Sequence, residues 1–325
     1  MHVLYADIPM KKILVTGSIA YDILLSYDGS FADALKGVDI EKLSVSFFSP
    51  HYARHHGGTG SNIAWNLRLL NQSPLLVGTV GSDGGEYTAL MSERGIDVSQ
   101  VEILWDHATA TAIIGTDSEE RQIAFFHPGA DTHGHWPDLL DLREEIACGL
   151  VSARDAGLMM QAVHWLRNAK LPFIFDPGQQ VLALSKDELL ASMRASAGMI
   201  MNEYEWSLLT EKTGLPEEEL TRTVPFLIVT RGEYGFSFFA DSEMSVVLAC
   251  PADRVVNPTG AGDALRAGIL TGLAAGWPLL DGARLGASLA SFVVEQEGTL
   301  LDSIDVEEVW ERARRTYGQA PPSLQ

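Results

Sequence analysis

The sequence predicts a three-layer α/β fold, in which a mostly parallel central sheet carries helices on both faces. Four short apolar runs, bounded by polar residues or glycine, have the length and composition of buried parallel strands: 12–17, 75–80, 173–176 and 226–230. Segments with helical spacing of apolar residues alternate with these runs, for example 62–70 and 84–94. This alternation is typical of parallel sheets whose strands are connected by helices.

The composition limits the classes of partner. Of the 325 residues, 46% are hydrophobic, enough for a substantial core. The formal net charge of −20 disfavours a nucleic-acid or anionic-membrane partner, and a phosphate-bearing substrate would need local positive charge. Cys148 and Cys250 lie far apart without CxxC spacing, which disfavours a disulfide framework or a structural zinc site and fits a cytoplasmic location. No apolar run reaches transmembrane length.

The first residues do not resemble a secretory signal, because they have no basic region followed by a cleavage pattern. Met10 would itself be a natural start. We therefore predict an N-terminal extension at residues 1–11, either poorly ordered or added as an edge strand. The folded domain is predicted to span residues 12–325.

A glycine-rich turn dominates the C-terminal third of the chain. A strand is predicted at 254–256 and a helix at 264–275, and Gly260 and Gly262 flank Ala261 between them. Such a turn directs backbone N–H groups outward, and the helix N-terminus adds unpaired donors and a positive dipole end, which suits an anion. Asp263 places a carboxylate at this site. It is either a helix cap or a general base beside a phosphate.

Two motifs carry a resemblance to a known family. Residues 258–263, PTGAGD, closely resemble the C-terminal signature of the ribokinase (PfkB) family of carbohydrate and nucleoside kinases. Residues 57–64, GGTGSNIA, followed by 77–83, VGTVGSD, resemble its N-terminal signature in the expected order. The resemblance implies a ribokinase-like fold and transfer of the γ-phosphoryl group of ATP to a primary hydroxyl. It also implies catalytic roles for four residues: Gly260, Ala261, Gly262 and Asp263.

The same resemblance implies a small β-sheet lid, drawn from about residues 19–56 and 107–128. Partial alternation of apolar residues predicts lid strands at 43–48 and 51–56. Residues 109–115 and 122–126 flank a polar turn and predict a β-hairpin. An exposed edge of this sheet would offer a contact for a homodimer.

Three residues match the positions that hold the sugar in the family. Asp22 follows the first strand, where it is either a solvated turn residue or a ligand that accepts from two adjacent hydroxyls. Gly58 and Asn62 match the sugar-contacting glycine and asparagine of the N-terminal signature. The alternative is an ordinary helix N-terminus capped by Ser61.

An aromatic pair suggests the class of acceptor. Residues 125–130, FFHPGA, resemble the aromatic-Pro-Gly-Ala segment of the nucleoside and adenosine kinase branch. Phe126 is therefore predicted to bind substrate by stacking on a flat heterocycle. The alternative is that one of the two rings packs in the sheet and the other is partly exposed.

Further matches indicate where ATP and Mg²⁺ would bind. Asn202 and Glu205 form the family's N-x-x-E motif, in which Glu205 would hold Mg²⁺ through water; a helix capping box is a compatible alternative. Asp176 ends a predicted strand and is a candidate for the same region. Residues 286–288 are small enough to admit an adenine edge. The segment that resembles the nucleotide-binding turn supplies four ATP-binding candidates: Thr230, Arg231, Gly232 and Gly235.

A departure from the family bears on the cation that the enzyme would need. Asn257 stands where aspartate is frequent and contributes to a monovalent-cation site in some members, so the dependence on K⁺ stays open.

The predicted activity is that of an ATP-dependent, Mg²⁺-requiring nucleoside kinase, with adenosine as first choice and a role in purine salvage. The alternative within the family is a kinase for a ribose- or fructose-like sugar. A nicotinamide-dependent oxidoreductase is suggested only by residues 15–17, without the G-x-G-x-x-G fingerprint, and no P-loop motif occurs. A non-catalytic nucleoside-binding protein would not need the carboxylate of Asp263.

Overall fold

A computed structural model describes residues 10–241 and 243–318. The predicted N-terminal extension lies outside these residues, except for Met10 and Lys11. Within the described ranges, no helix is long and apolar enough to cross a membrane.

Two sheets and ten α-helices make up the described structure. The strands are β1 (Lys12–Thr16), β2 (Ala20–Ser26), β3 (His51–Gly57), β4 (Pro74–Gly81), β5 (Asp97–Leu104), β6 (Ala110–Thr116), β7 (Gln122–His127), β8 (Ile146–Ser152), β9 (Phe173–Asp176), β10 (Gly198–Asn202), β11 (Phe226–Thr230), β12 (Phe236–Ala240) and β13 (Glu243–Val247). The helices are α1 (Phe31–Ala34), α2 (Thr59–Leu69), α3 (Gly85–Glu93), α4 (Ala156–Ala169), α5 (Lys186–Ala195), α6 (Glu203–Thr213), α7 (Glu217–Thr223), α8 (Ala261–Ala275), α9 (Leu279–Val293) and α10 (Val306–Tyr317).

The central sheet confirms the predicted mostly parallel architecture. Its nine strands have the order β13-β12-β11-β10-β9-β8-β1-β4-β5. All pairs from β11 to β5 are parallel, whereas β12 and β13 add an antiparallel edge. The carboxyl ends of β1, β8, β9, β10 and β11 therefore lie along one edge of the sheet, where ligands bind in folds of this kind.

Side chains from both faces of the sheet are buried, which confirms the three layers. In β10, Ile200 belongs to the core formed with helices α2, α8 and α9. Its neighbours Met199 and Met201 belong to the opposite core, formed with α4, α5 and α6. Because successive strand residues point to opposite faces, a strand covered by helices on both sides reads as a continuous apolar run.

The smaller sheet has the order β3-β2-β6-β7. The predicted hairpin is confirmed, since β6 and β7 pair in antiparallel register, and the predicted strand at 51–56 is β3. The strand predicted at 43–48 is wrong. Phe47 packs its ring against Tyr27 and Phe31, at centroid distances of 5.1 and 4.9 Å, so aromatic contacts hold this segment as a loop.

Two further sequence-based predictions need correction. Residues 254–256 are not a strand: Val255 is 70% exposed, and the N–H of Val256 donates to Val294 O, at 2.7 Å, rather than to a neighbouring strand. The small residues at 286–288 do not line an open pocket, because a Cβ at Gly286 would lie 2.3 Å from Leu265 O. They allow close packing of α8 on α9 instead.

Candidate active site

Asp263 lies in the first turn of α8, but it does not cap the helix. The cap is Gly260, whose φ of 88° is easily adopted only by glycine, and no side chain bonds to the cap. Asp263 Oδ2 instead accepts a hydrogen bond from Asn62 Nδ2 at 2.9 Å, across 201 residues of sequence. The N–H groups of Gly262 and Asp263 have no acceptor within the described chain, as expected for a helix N-terminus open to an anion.

Asn62 is presented by the start of α2, where Gly58 is the cap with a φ of 96°. A Cβ at Gly58 would lie 2.5 Å from Ser18 O and 2.6 Å from Ala20 N, so only glycine allows this approach of the helix to the strand β2. Ser61 does not cap the helix, as the alternative interpretation had it, because its hydroxyl donates backwards to Gly57 O at 2.6 Å.

Thr299 orients the amide of Asn62 and was not singled out from the sequence. This 5% exposed residue places its hydroxyl 3.3 Å from Asn62 Oδ1 and 3.2 Å from the backbone oxygen of His56 in β3. With its oxygen on Thr299, the amide directs its NH₂ group to Asp263. A Cβ at Gly260 would also lie 3.3 Å from Thr299 Cβ, so one residue contacts the smaller sheet, Asn62 and the glycine turn.

Asp22 lies close enough to Asp263 for the charges of the two carboxylates to interact. Asp22 is half-buried on β2, and burial raises its pKa, opposed by the charge of His55 on the neighbouring strand. Burial raises the pKa of Asp263 to about 6, opposed by Arg266 and the Asn62 hydrogen bond and reinforced by the charges of Asp176 and Asp22. A carboxyl with a pKa near 6 is ionised at neutral pH and still able to take up a proton, as a general base requires.

Arg266, three residues after Asp263 on α8, was missed by the sequence analysis. Its Nε and Nη2 atoms donate to both oxygens of Asp176, at 2.6 and 2.5 Å, and Ser152 Oγ donates to Asp176 Oδ2 at 2.6 Å. The i, i+3 spacing from Asp263 was the available signal, because such residues share one side of a helix. Asp176 is therefore paired with an arginine rather than free to bind a ligand.

Asn202 and Glu205 form the capping box that the sequence allowed. Glu205 N donates to Asn202 Oδ1 at 2.8 Å, and Asn202 N donates to Glu205 Oε2 at 2.9 Å. Burial, together with the negative charge of Asp176, raises the pKa of Glu205. Its second oxygen, Oε1, makes no hydrogen bond within the described chain. One carboxylate oxygen of Glu205 is thus bonded to the backbone of Asn202, and the other is available to a ligand.

Asn202 and Glu205 suit a Mg²⁺ ion that is held through water rather than one enclosed by protein ligands. Within residues 10–241 and 243–318, no group of three His, Cys, Asp or Glu side chains is arranged to hold a metal ion. Mg²⁺ usually keeps several waters and is held by one or two carboxylates together with substrate phosphates. The available oxygen of Glu205 suits that arrangement.

The predicted nucleotide-binding turn lies at the same edge of the sheet. Thr230 ends β11 in register with Asn202 at the end of β10. Arg231 bonds to Ser237 Oγ and lies 3.7 Å from Glu203, so its charge is shared within the turn. Gly232 and Gly235 have φ values of 56° and 86°. In the described structure, no hydrogen bond or ion pair joins these four candidates to Asp263.

Phe125 and Phe126 are both exposed, at 69% and 60%, so the alternative interpretation, in which one ring packs in the sheet, is wrong. Phe126 is the direct cross-strand partner of Ala112 on β6, and Ala112 is the partner of Asp22 on β2. Directly opposed residues share one face of a sheet, so Phe126 lies on the face that carries Asp22. Phe125 lies on the opposite face.

The sequence is similar to those of known kinases. The family description "pfkB family carbohydrate kinase" matches residues 10–305. A nucleoside kinase of Methanothermobacter thermautotrophicus is 28% identical over 322 residues, which cover 96% of this chain and 98% of that protein.

Solved structures agree with the fold over nearly the whole chain. The nucleoside kinase of Burkholderia thailandensis in complex with inosine matches with a TM-score of 0.83 and 31% identity, covering 96% of this chain and all of that one. The nucleoside kinase of Methanocaldococcus jannaschii matches with a TM-score of 0.83 and 25% identity, covering 94% and 99%.

Proposed function

The chain belongs to the PfkB family of carbohydrate kinases, and we propose that within this family it is an ATP-dependent nucleoside kinase with adenosine as its preferred acceptor. It is a phosphotransferase with a hydroxyl acceptor, of the nucleoside and sugar kinase class. The observation that carries the proposal is the 2.9 Å contact between Asn62 and Asp263, because it brings the N-terminal and C-terminal motifs into one cleft.

Asp263 acts as the general base in this proposal. It takes the proton of the acceptor's primary hydroxyl while the hydroxyl oxygen attacks the γ-phosphorus of ATP, and ADP leaves. The N–H groups of Gly260, Ala261 and Gly262 face the charge that develops on the transferred group. Within the described residues, the one hydrogen bond of Ala261 N is a long bond of 3.4 Å to Pro258 O, so little is lost when this N–H donates to an anion instead.

Asp22 and Asn62 hold the sugar hydroxyls. The carboxylate of Asp22 accepts from adjacent hydroxyls, and Gly58 lets the helix that carries Asn62 lie against the strand that carries Asp22. The smaller sheet forms the lid and excludes water from the reacting groups.

Mg²⁺ supplies charge neutralisation of the ATP phosphates when it is bound. Asn202 and Glu205 would organise that region, and Glu205 would hold the ion through water. Thr230, Arg231, Gly232 and Gly235 line the nucleotide, since their turn follows a strand adjacent to β10.

Phe126 favours a nucleoside over a free sugar. Its ring is exposed on the face of the lid that carries Asp22, where a base attached to the bound ribose can stack on it. The nucleoside kinases of similar sequence and fold support the same choice. Adenosine phosphorylation would place the enzyme in purine salvage in the cytoplasm, which stays a prediction.

A screen of ATP consumption tests the acceptor. The purified protein is incubated with Mg²⁺, ATP and one acceptor at a time from a panel of nucleosides and free sugars. We expect turnover with purine nucleosides, highest with adenosine. A response only to ribose- or fructose-like sugars would contradict the nucleoside proposal and favour the sugar kinase.

The Phe126→Ala variant is expected to raise KM for the nucleoside by about fivefold, because stacking of two aromatic rings contributes about 1 kcal/mol. Phe125→Ala is the matched control, since it removes a similarly exposed ring from the opposite face of the same strand. Steady-state kinetics with nucleoside and ribose compare the two variants. Equal KM values for both variants and the wild type would remove Phe126 from the acceptor site.

A further inference from the structure

The guanidinium of Arg266 has one nitrogen that Asp176 does not use. Nε and Nη2 are both committed to that carboxylate, whereas Nη1 makes no hydrogen bond within the described part of the chain. The side chain is only 12% exposed. Nη1 is not among the fully enclosed polar atoms that lack a partner, so this unused donor opens onto space that a ligand can reach.

The position of Nη1 indicates the kind of ligand that it can bind. A Cβ at Gly262 would lie 2.8 Å from this nitrogen, so Nη1 lies against the glycine turn that opens α8. Gly262 has an ordinary φ, and its backbone conformation does not require glycine. The absence of a side chain at 262 instead leaves space between the turn and the arginine. A donor in this space faces the same anion as the N–H groups of the turn.

The excess of acidic residues around the cleft supports a role for Arg266 in binding an anion there. Asp263, Asp176, Asp22 and Glu205 interact electrostatically in and around the cleft, and the protein as a whole is strongly acidic. Arg266 is the cation that interacts with Asp176, Asp263 and Glu205 together. The ion pair with Asp176 holds the guanidinium plane in place through two parallel bonds, which pre-organises the remaining N–H group.

We propose that Arg266 is a catalytic residue, whose Nη1 donates a hydrogen bond to a non-bridging oxygen of the γ-phosphoryl group during transfer. This inference rests on the proposed reaction at Asp263. The bond from the γ-phosphorus to the β–γ bridging oxygen breaks, and ADP leaves with its electron pair. A bond from the acceptor oxygen to phosphorus forms, and the acceptor proton passes to Asp263. Arg266 takes up no proton; it stabilises the charge on the oxygens of the group in transit.

The competing explanation is that Arg266 only neutralises buried Asp176. Three variants separate the two roles: Arg266→Gln, Asp176→Asn and the double variant. If neutralisation were the whole role, removing both charges would restore activity. We expect Arg266→Gln to lower kcat about a hundredfold or more, the effect of losing one donor to a developing oxyanion. The double variant is expected to regain the wild-type unfolding temperature and to stay equally slow.

Nucleotide binding provides a second readout. ADP lacks the γ-phosphoryl group, so its Kd is expected to stay within about threefold of wild type in the double variant, while the effect on kcat persists. A double variant with near-wild-type kcat would overturn the proposal. Loss of activity in Asp263→Asn but not in Arg266→Gln would reject the role of Arg266 alone, whereas a wild-type protein inactive on every acceptor would reject the proposed function itself.

Discussion

Asparagine at position 263 is expected to lower kcat by about a hundredfold or more, as for loss of a general base, while the Kd values of acceptor and ATP change little. Asparagine has the size of aspartate, and its oxygen can still accept the hydrogen bond from Asn62. What it cannot do is take the acceptor's proton. Steady-state kinetics and calorimetric titration with the acceptor measure the two effects separately.

The pH profile gives an independent test of the same residue. The pKa of Asp263 is raised to about 6, and only the ionised form can act as base. The kcat/KM of the wild type should therefore fall as the pH drops through about 6, and the residual activity of Asp263→Asn should not show this step. Asp187→Asn, an exposed change in the first turn of α5, is the control. Unchanged turnover in Asp263→Asn would contradict the proposed mechanism.

The unfolding temperature of Asp263→Asn should not fall below that of the wild type. A carboxyl whose pKa is higher in the folded state than its ordinary value of 3.8 binds its proton more tightly when folded. Its ionisation therefore destabilises the folded state, an effect absent below about pH 4 and complete above about pH 6. Asparagine removes this destabilisation, so the unfolding temperature at neutral pH is expected to stay equal or rise. A lowered unfolding temperature would indicate that loss of activity reflects misfolding.

Gly58→Ala is expected to lower the free energy of unfolding by about 3 kcal/mol and to raise KM for the acceptor. The estimate combines the cost of a side chain at positive φ with the cost of forcing an extra methyl group into a packed site. The methyl group would meet the backbone at Ser18 and Ala20 rather than a flexible side chain. Either α2 or β2 must then move, and with them Asn62 or Asp22. Denaturant unfolding and acceptor kinetics measure both effects.

Gly85→Ala is the matched control for that prediction. Gly85 lies at the start of α3, has an ordinary φ, and a Cβ there would meet nothing within 4 Å. Alanine at such a site is expected to leave stability unchanged or to raise it slightly. If both glycine variants behaved alike, the close approach of α2 to β2 would not be what Gly58 provides.

Local patterns predicted the elements that hold the site. The buried runs 173–176 and 226–230 form strands β9 and β11, and Asn202 and Glu205 form their capping box as their spacing allowed. The glycine turn before Asp263 opens a helix with free N–H groups. Each of these features involves residues a few positions apart, so neighbouring side chains and backbone geometry suffice to specify it.

Patterns that depend on a distant partner were predicted less well. Among the residues that the structure describes, the segment 43–48 has no neighbouring strand to pair with, so it is a loop packed through Phe47. The two rings at 125 and 126 are both exposed, because neither face of β7 is covered at that point. Alternation alone does not reveal which faces of a strand become buried.

The amino-acid sequence by itself determined the alternating strands and helices, the glycine turn and the identity of the carboxylate that follows it. Only the tertiary structure decided that Asn62 and Thr299 orient that carboxylate, and that Arg266 pairs with Asp176 beneath it. The physical reason is sequence separation. Contacts across 201 and 90 residues form only when packed sheets and helices bring the ends of separate elements together, and no local pattern records which ends will meet.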